Sequence, residues 1–93
     1  DEWERRIINV HPSLLPRHGG KGMYGRAVHE AVIRSGEKWS GFTAHYVSKN
    51  YDEGEIIYQK RIRVLPNESV ESLEQKVRKE EQMFLPHVLS TIL

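Results

Sequence analysis

Apolar and polar positions along this chain change period several times, and each change marks an element. Residues 6–10, ending Ile7-Ile8-Asn9-Val10, form a short apolar run with β-branched members. Such a run suits a strand buried on both faces, as in a parallel sheet. Residues 12–22 hold two prolines and three glycines and cannot be regular. Met23, Tyr24, Ala27, Val28, Ala31 and Val32 then fall on one stripe of a helix, with Gly36 placed to close it. Gly41 precedes Phe42 to Val47, a β-branched and aromatic stretch that reads as a strand. Ser48 to Gly54 is a polar connection, and Glu55 to Leu65 a second, longer strand. The pair predicts an antiparallel hairpin whose loop is longer than the usual two to five residues, and such excess length often serves function. Pro66 stops the sheet. Ser69 is placed to cap a final helix, with Glu71 in the first turn where the helix dipole favours it. Val70, Leu73, Val77, Phe84 and Val88 make its apolar stripe, and Pro86 should kink or restart it.

The predicted order is strand, helix, strand, strand, helix, an α/β arrangement. A first strand buried on both faces needs parallel neighbours that one crossover and a hairpin do not supply. Residues 1–93 are therefore expected to be a single partial domain, the C-terminal part of a larger α/β unit, or to associate through the exposed first strand.

Composition narrows the function classes. Fourteen basic and 13 acidic side chains leave a formal net charge of +1, which gives no electrostatic case for nucleic acid or an anionic membrane. There is no cysteine, which excludes a disulfide framework and a thiolate zinc site and fits a reducing, cytoplasmic setting. No apolar run approaches the ~20 residues of a membrane span.

Asn9 and His11 stand at the carboxyl end of the first strand, where open α/β sheets bind ligands. An amide can donate to a developing oxyanion, and an imidazole moves protons near neutral pH. Asp52, in the long hairpin loop, is the best candidate for a carboxylate to work with the histidine. That set needs neither metal nor protein nucleophile and suits attack by an amine or water on a carbonyl. The same pair also serves elsewhere as loop punctuation, and an aspartate in a Tyr-Asp-Glu-Gly turn is by default a turn residue. The histidines at 11, 18, 29 and 45 lack the spacing of a zinc-protease helix, so no metal is expected. His45 lies on the strand face opposite Phe42 and Tyr46, where it could equally be a core histidine. Gly19-Gly20-Lys21-Gly22 lacks the spacing of a phosphate loop. Glu80 and Glu81 border the last apolar stripe, where a carboxylate either snorkels or meets a hydroxyl.

"IINVHPSLLP" followed some forty residues later by "AHYVSKNYDEGEIIYQ" resembles the folate-dependent formyltransferases, and the resemblance covers nearly the whole chain. It is nearest to the branch that formylates glycinamide ribonucleotide in purine synthesis. The resemblance implies a Rossmann-like domain, here without its N-terminal, phosphate-binding half. It implies 10-formyltetrahydrofolate as formyl donor and co-substrate, glycinamide ribonucleotide as acceptor, and no nucleic-acid or membrane partner. By motif match, Asn9, His11 and Asp52 look like the family's catalytic residues. Val47, Ser48, Lys49, Asn50 and Tyr51 resemble the loop that closes over the pterin. Glu81 matches a glutamate that contacts the substrate ribose, and Thr43 and His45 match positions flanking an active-site water network. The stretch "RHGGKGMYGRAVHEAV" departs from the family's usual segment by extra residues, which puts contacts by that loop in question.

Two other readings compete. One is formyltetrahydrofolate hydrolase, in which water replaces the amine. The other is a non-catalytic, associating fragment, and the isolated 93 residues are expected to be inert or nearly so.

Overall fold

A computed structural model describes residues 8–47 and 55–92. Its elements follow the expected order: β1 (Ile8–His11), α1 (Arg26–Arg34), β2 (Trp39–Tyr46), β3 (Ile56–Arg63) and α2 (Val70–Ile92). β2 is the middle strand, flanked by β1 and β3. Both ladders are antiparallel; β1 pairs from Ile8–Tyr46 to His11–Thr43, and β3 pairs from Trp39–Arg63 to His45–Ile56. A bulge interrupts the second ladder at Ala44/His45.

The expectation of a first strand buried on both faces and paired in parallel is corrected here. The ladder β1 makes among the described residues is antiparallel, and its burial is uneven: Ile8 and Val10 are half-buried, Asn9 is exposed and His11 is only 4% exposed. β-branched residues favour a strand but do not say which neighbour it takes. The apolar run also overstated burial, because Asn9 within it is exposed.

α1 begins later than its stripe suggested. Met23 and Tyr24 precede it, and Tyr24 is largely exposed. Gly22 and Gly25 adopt positive φ, a backbone setting that no right-handed helix contains, so regular structure starts only at Arg26. The stop is as the sequence predicts. Ser35 and Gly36 donate to the carbonyls of Ala31 and Ile33, with Gly36 in the left-handed region. The hairpin strands are also displaced from expectation, since β2 starts at Trp39 and leaves Val47 beyond its end, while β3 ends at Arg63.

α2 opens as expected, with the amide of Ser72 donating to Ser69 Oγ at 3.0 Å. Glu68 ties the preceding turn to the helix by accepting from the Leu65 amide and from Lys76 Nζ. Pro86 neither stops nor restarts α2, which runs as one helix to Ile92. The missing N–H leaves the carbonyl of Gln82 without its helical donor, but both residues are exposed, so water can serve it.

One face of the sheet is apolar. Phe42 and Ile62 join Val32 of α1, Leu73 and Val77 of α2, and Val64, in a single cluster. Fully burying Phe42 or Leu73 contributes roughly 1.5–3 kcal/mol each. α1 packs mainly on α2, so the two helices hold one another over this face. The other face is covered by the segment after β1, and the candidate site is built there.

Candidate active site

Alternation along β1 puts Asn9 and His11 on the same face of the sheet. The register sets Asn9 opposite His45 and His11 opposite Thr43, so these four residues share that face. The chain then leaves the sheet at Pro12 and folds back over it. Thr43 Oγ1 fixes that return: it donates to the Ser13 carbonyl (2.7 Å) and accepts from the Leu15 amide (3.1 Å) and Gln59 Nε2 (3.0 Å). Gln59, on β3 opposite Thr43, also donates to the Leu15 carbonyl at 2.9 Å. Ser13, fully buried, donates through Oγ to the Arg17 carbonyl at 2.6 Å. Leu14 packs where β2 has no side chain; a Cβ on Gly41 would lie 2.8 Å from Leu14 Cδ2 and 1.9 Å from the Lys60 carbonyl oxygen.

Held this way, the loop brings the His18 carbonyl to 2.7 Å from His11 Nε2. His18 itself has a positive φ of 56°, and its ring Nε2 donates to Glu37, which also accepts from Arg17 Nη1 at 2.6 Å. Burial would push the Glu37 carboxyl up, but the hydrogen bonds and charges of His18 and Arg17 outweigh it and hold the group below the usual carboxylate range.

Asn9, His11 and Pro12 form one wall of a cleft of ≈ 610 Å³ whose other wall is the segment Gly20 to Gly25. A smaller cavity of ≈ 170 Å³ adjoins it through Val10, Pro12 and Gly25, and is closed by His29 of α1 and Glu74, Arg78 and Glu81 of α2. Burial raises the Glu81 carboxyl, against the pull of Arg78. Burial lowers His29; Glu74 opposes this, and the charges of Arg78 and His11 add to it. His29 is 3% exposed, and its Nδ1 has no hydrogen-bond partner among the described residues.

The structure thus brings together Asn9, His11, Thr43 and His45, and sets Glu81 in the adjoining cavity. Thr43 acts as a hydrogen-bond hub for the loop. His45 is buried, and its Nδ1 donates to the Tyr46 carbonyl at 3.0 Å, as a core histidine does. Val47 is not brought to His11: it follows Tyr46, the partner of Ile8, about 10 Å along the strand from His11. Asp52 and the pterin-loop residues Ser48, Lys49, Asn50 and Tyr51 lie outside the described residues. No group of three or more His, Cys, Asp or Glu side chains among the described residues could hold a metal ion, and no described helix is long and apolar enough to cross a membrane.

Sequence reasoning did not single out His18 with Glu37, Gln59, His29 or Arg78 for the site. Gln59 was within reach, as a polar residue in register with Thr43 across the predicted hairpin. His29 was concealed by the apolar stripe beside it, between Val28 and Val32.

A family model described as "Formyl transferase" matches residues 1–89. Phosphoribosylglycinamide formyltransferase, chloroplastic, of Arabidopsis thaliana is 46% identical over 90 residues, 97% of this chain and 31% of the relative. The phosphoribosylglycinamide formyltransferase of Bacillus subtilis (strain 168) is 40% identical over 88 residues, 95% of this chain and 43% of the relative. A crystal structure of the enzyme of that name from Bacillus halodurans superposes with a TM-score of 0.86 at 35% identity, over 98% of this chain and 44% of the other. The chain spans less than half the length of each of these relatives.

Proposed function

This chain belongs to the formyl transferase family, and on that premise we propose that it carries the oxyanion-stabilising side of a formyl-transfer site. The formyl group passes from 10-formyltetrahydrofolate to the primary amine of glycinamide ribonucleotide, a step of purine synthesis. The observation that carries this reading is the pairing of Asn9 and His11 on one sheet face, both lining a cleft large enough for reacting groups.

The amine nitrogen attacks the formyl carbon, and the carbonyl π electrons move to oxygen. The resulting tetrahedral intermediate carries its negative charge there. Asn9 donates an amide N–H to that oxygen, and a protonated His11 donates a ring N–H. Collapse re-forms the carbonyl and breaks the bond to the folate nitrogen. A proton lost by the amine returns to that nitrogen through water. Asp52 is assigned to this proton transfer, and Val47 to Tyr51 to the pterin, on the motif match alone. Glu81 receives a ribose hydroxyl; its place in a cavity that shares Val10, Pro12 and Gly25 with the Asn9–His11 cleft supports this. Thr43 supports the loop that carries the cleft. A cysteine-free chain suits a reducing compartment such as the cytosol.

We read the chain as the C-terminal half of the domain. β1 pairs only with β2 among the described residues, and its other edge is where the rest of the sheet, or a second copy, would add. The 93 residues alone are then expected to turn over little or no substrate.

The test uses a chimera that completes this chain with the remaining length of the Bacillus subtilis relative. Asn9→Ala and His11→Ala should each lower kcat about 10²–10³-fold while both substrates still bind. Near-normal rates in both variants would sink the assignment. Formate release that does not depend on the amine would favour hydrolysis over transfer.

A further inference from the structure

We propose that the groove beside Trp39, at the end of the hairpin away from the bulge, docks an acidic segment of a partner protein. Arg61 and Arg63 take its carboxylates, and Leu14, Leu15 and Pro16 receive an apolar side chain. This surface shares no lining residue with the Asn9–His11 cleft and is independent of the formyl-transfer reading.

The groove has a volume of ≈ 540 Å³, within the range of about 300–1,000 Å³ typical of binding pockets. Its apolar lining is Leu14, Leu15, Pro16 and the 41% exposed Trp39; its charged lining is Arg17, Lys38, Arg61 and the Glu37 carboxylate. Glu37 is already taken, since it accepts from Arg17 and His18. Three cations thus stand with one committed carboxylate, in a chain whose charges otherwise nearly cancel. Arg63 adds a further cation, set by the register opposite Trp39. The Arg61 guanidinium lies 4.5 Å from the centre of the Trp39 ring and that of Arg63 5.5 Å from it. A stacked guanidinium keeps its N–H edge for a carboxylate, which it grips with two parallel hydrogen bonds. Among the described residues neither arginine forms an ion pair, and nor does Lys38. Like charges gathered on one surface repel, so the cluster costs free energy until an anion neutralises it. Charge on an edge strand also deters aggregation. That need is met by the basic residues of β3 and does not call for Lys38, or for an exposed tryptophan beside leucine and proline. Sites for single-stranded nucleic acid pair a basic track with rings on which successive bases stack. Here the one lining ring is engaged by two guanidinium groups and the remaining apolar lining is aliphatic. A peptide with carboxylates around an apolar anchor matches both kinds of lining.

The experiment is a fluorescence titration of this chain carrying Trp3→Phe, which leaves Trp39 as its only tryptophan. The probe is a short peptide, capped at both ends, with glutamates on either side of a leucine and a phenylalanine. It should shift the Trp39 emission to saturation, with an affinity that falls as salt is raised. The same peptide with glutamine in place of glutamate should bind at least about tenfold more weakly, and this comparison changes nothing in the groove itself. Arg61→Gln combined with Arg63→Gln should weaken the glutamate peptide to a similar degree. Lys79→Gln removes an exposed cation of α2 outside the groove and should change the affinity less than about twofold. Absence of a saturable shift, or equal affinity for the two peptides, would overturn the proposal. It also fails if Lys79→Gln weakens binding as much as the arginine pair does, since the effect is then one of net charge. An oligouridylate that binds as tightly as the peptide would reassign the surface to nucleic acid. A Trp39 shift with protein concentration alone, lost in the arginine variant, would reassign it to a second copy of the chain. Either result overturns the docking of an acidic segment.

Discussion

Phe42 and Thr43 are neighbours on β2, both fully buried, and they face opposite sides of the same sheet. Phe42 meets an apolar layer of helices, whereas Thr43 meets a loop held by hydrogen bonds. The two faces use burial differently. On the helix face, free energy grows with the area removed from water, and direction counts for little. On the loop face each buried polar atom needs a particular partner at a particular angle, so the same burial yields position. The candidate site stands on the second face. That is sensible for a constellation whose purpose is to hold an amide and an imidazole at fixed places.

The contrast can be tested by substitution. Phe42→Ala should cost the most, about 3–5 kcal/mol of unfolding free energy, measured by urea denaturation. A cost below about 1 kcal/mol would mean that the helix layer is not the main store of stability. Thr43→Val keeps the volume but strands the Leu15 amide and the Ser13 carbonyl, and removes one of the two acceptors of Gln59 Nε2. The expected cost is about 1–3 kcal/mol, with the loop resonances of residues 12–18 displaced while those of α2 stay in place. If α2 moves as much as the loop, the two faces are not separable. A double-mutant cycle of Thr43→Val with Gln59→Leu should give a coupling of about 0.5–3 kcal/mol, since both side chains hold Leu15. Additive costs would show that they act independently.

The smallest effects are those of pH, and they have opposite signs on the two walls of the small cavity. His29 has its pKa lowered from 6.5, so the unfolded chain binds the proton first. The stability tied to its neutral ring is present above pH 6.5 and is lost as pH falls through the lowered folded value. Glu81 has its pKa raised from 4.5, so the folded chain keeps the proton longer. Its contribution is present below pH 4.5 and is lost as pH rises through the folded value. Glu81→Gln should therefore raise the urea midpoint at pH 7 and lose that advantage near pH 4. His29→Gln should flatten the decline between pH 7 and pH 5. Equal pH profiles for the wild type and both variants would remove these groups from the account.

Much of the architecture could be read from local signals, because the physics behind them is local. Gly36 and Ser69 mark helix ends through backbone conformation and capping, and both lie where expected. Asn9 and His11 share a face because strands alternate, whatever the strand pairs with. The partner of β1 was not legible, because pairing is decided by residues more than thirty positions away. Val47 was assigned to the pterin loop on motif alone, and the rest of that loop, Ser48 to Tyr51, lies outside the described residues. The Glu37–His18 pair left no trace in periodicity: it forms only because Thr43 turns the loop back, and neither residue lies on a repeating face. Pro86 does not restart α2, since its exposed position lets water serve the carbonyl that loses its donor.

The register also bears on the order in which the sheet comes together. β2 and β3 pair residues 11 to 24 positions apart, from His45–Ile56 to Trp39–Arg63. β1 and β2 pair residues 32 to 38 positions apart, from His11–Thr43 to Ile8–Tyr46. Closing a longer loop costs more chain entropy, by about 0.6 kcal/mol for each doubling, and loses the race to the shorter one. The hairpin is then the early template and β1 the late arrival, so Asn9 and His11 gain their setting only in the last step of assembly. Amide exchange started during refolding would show protection in β2 and β3 before β1.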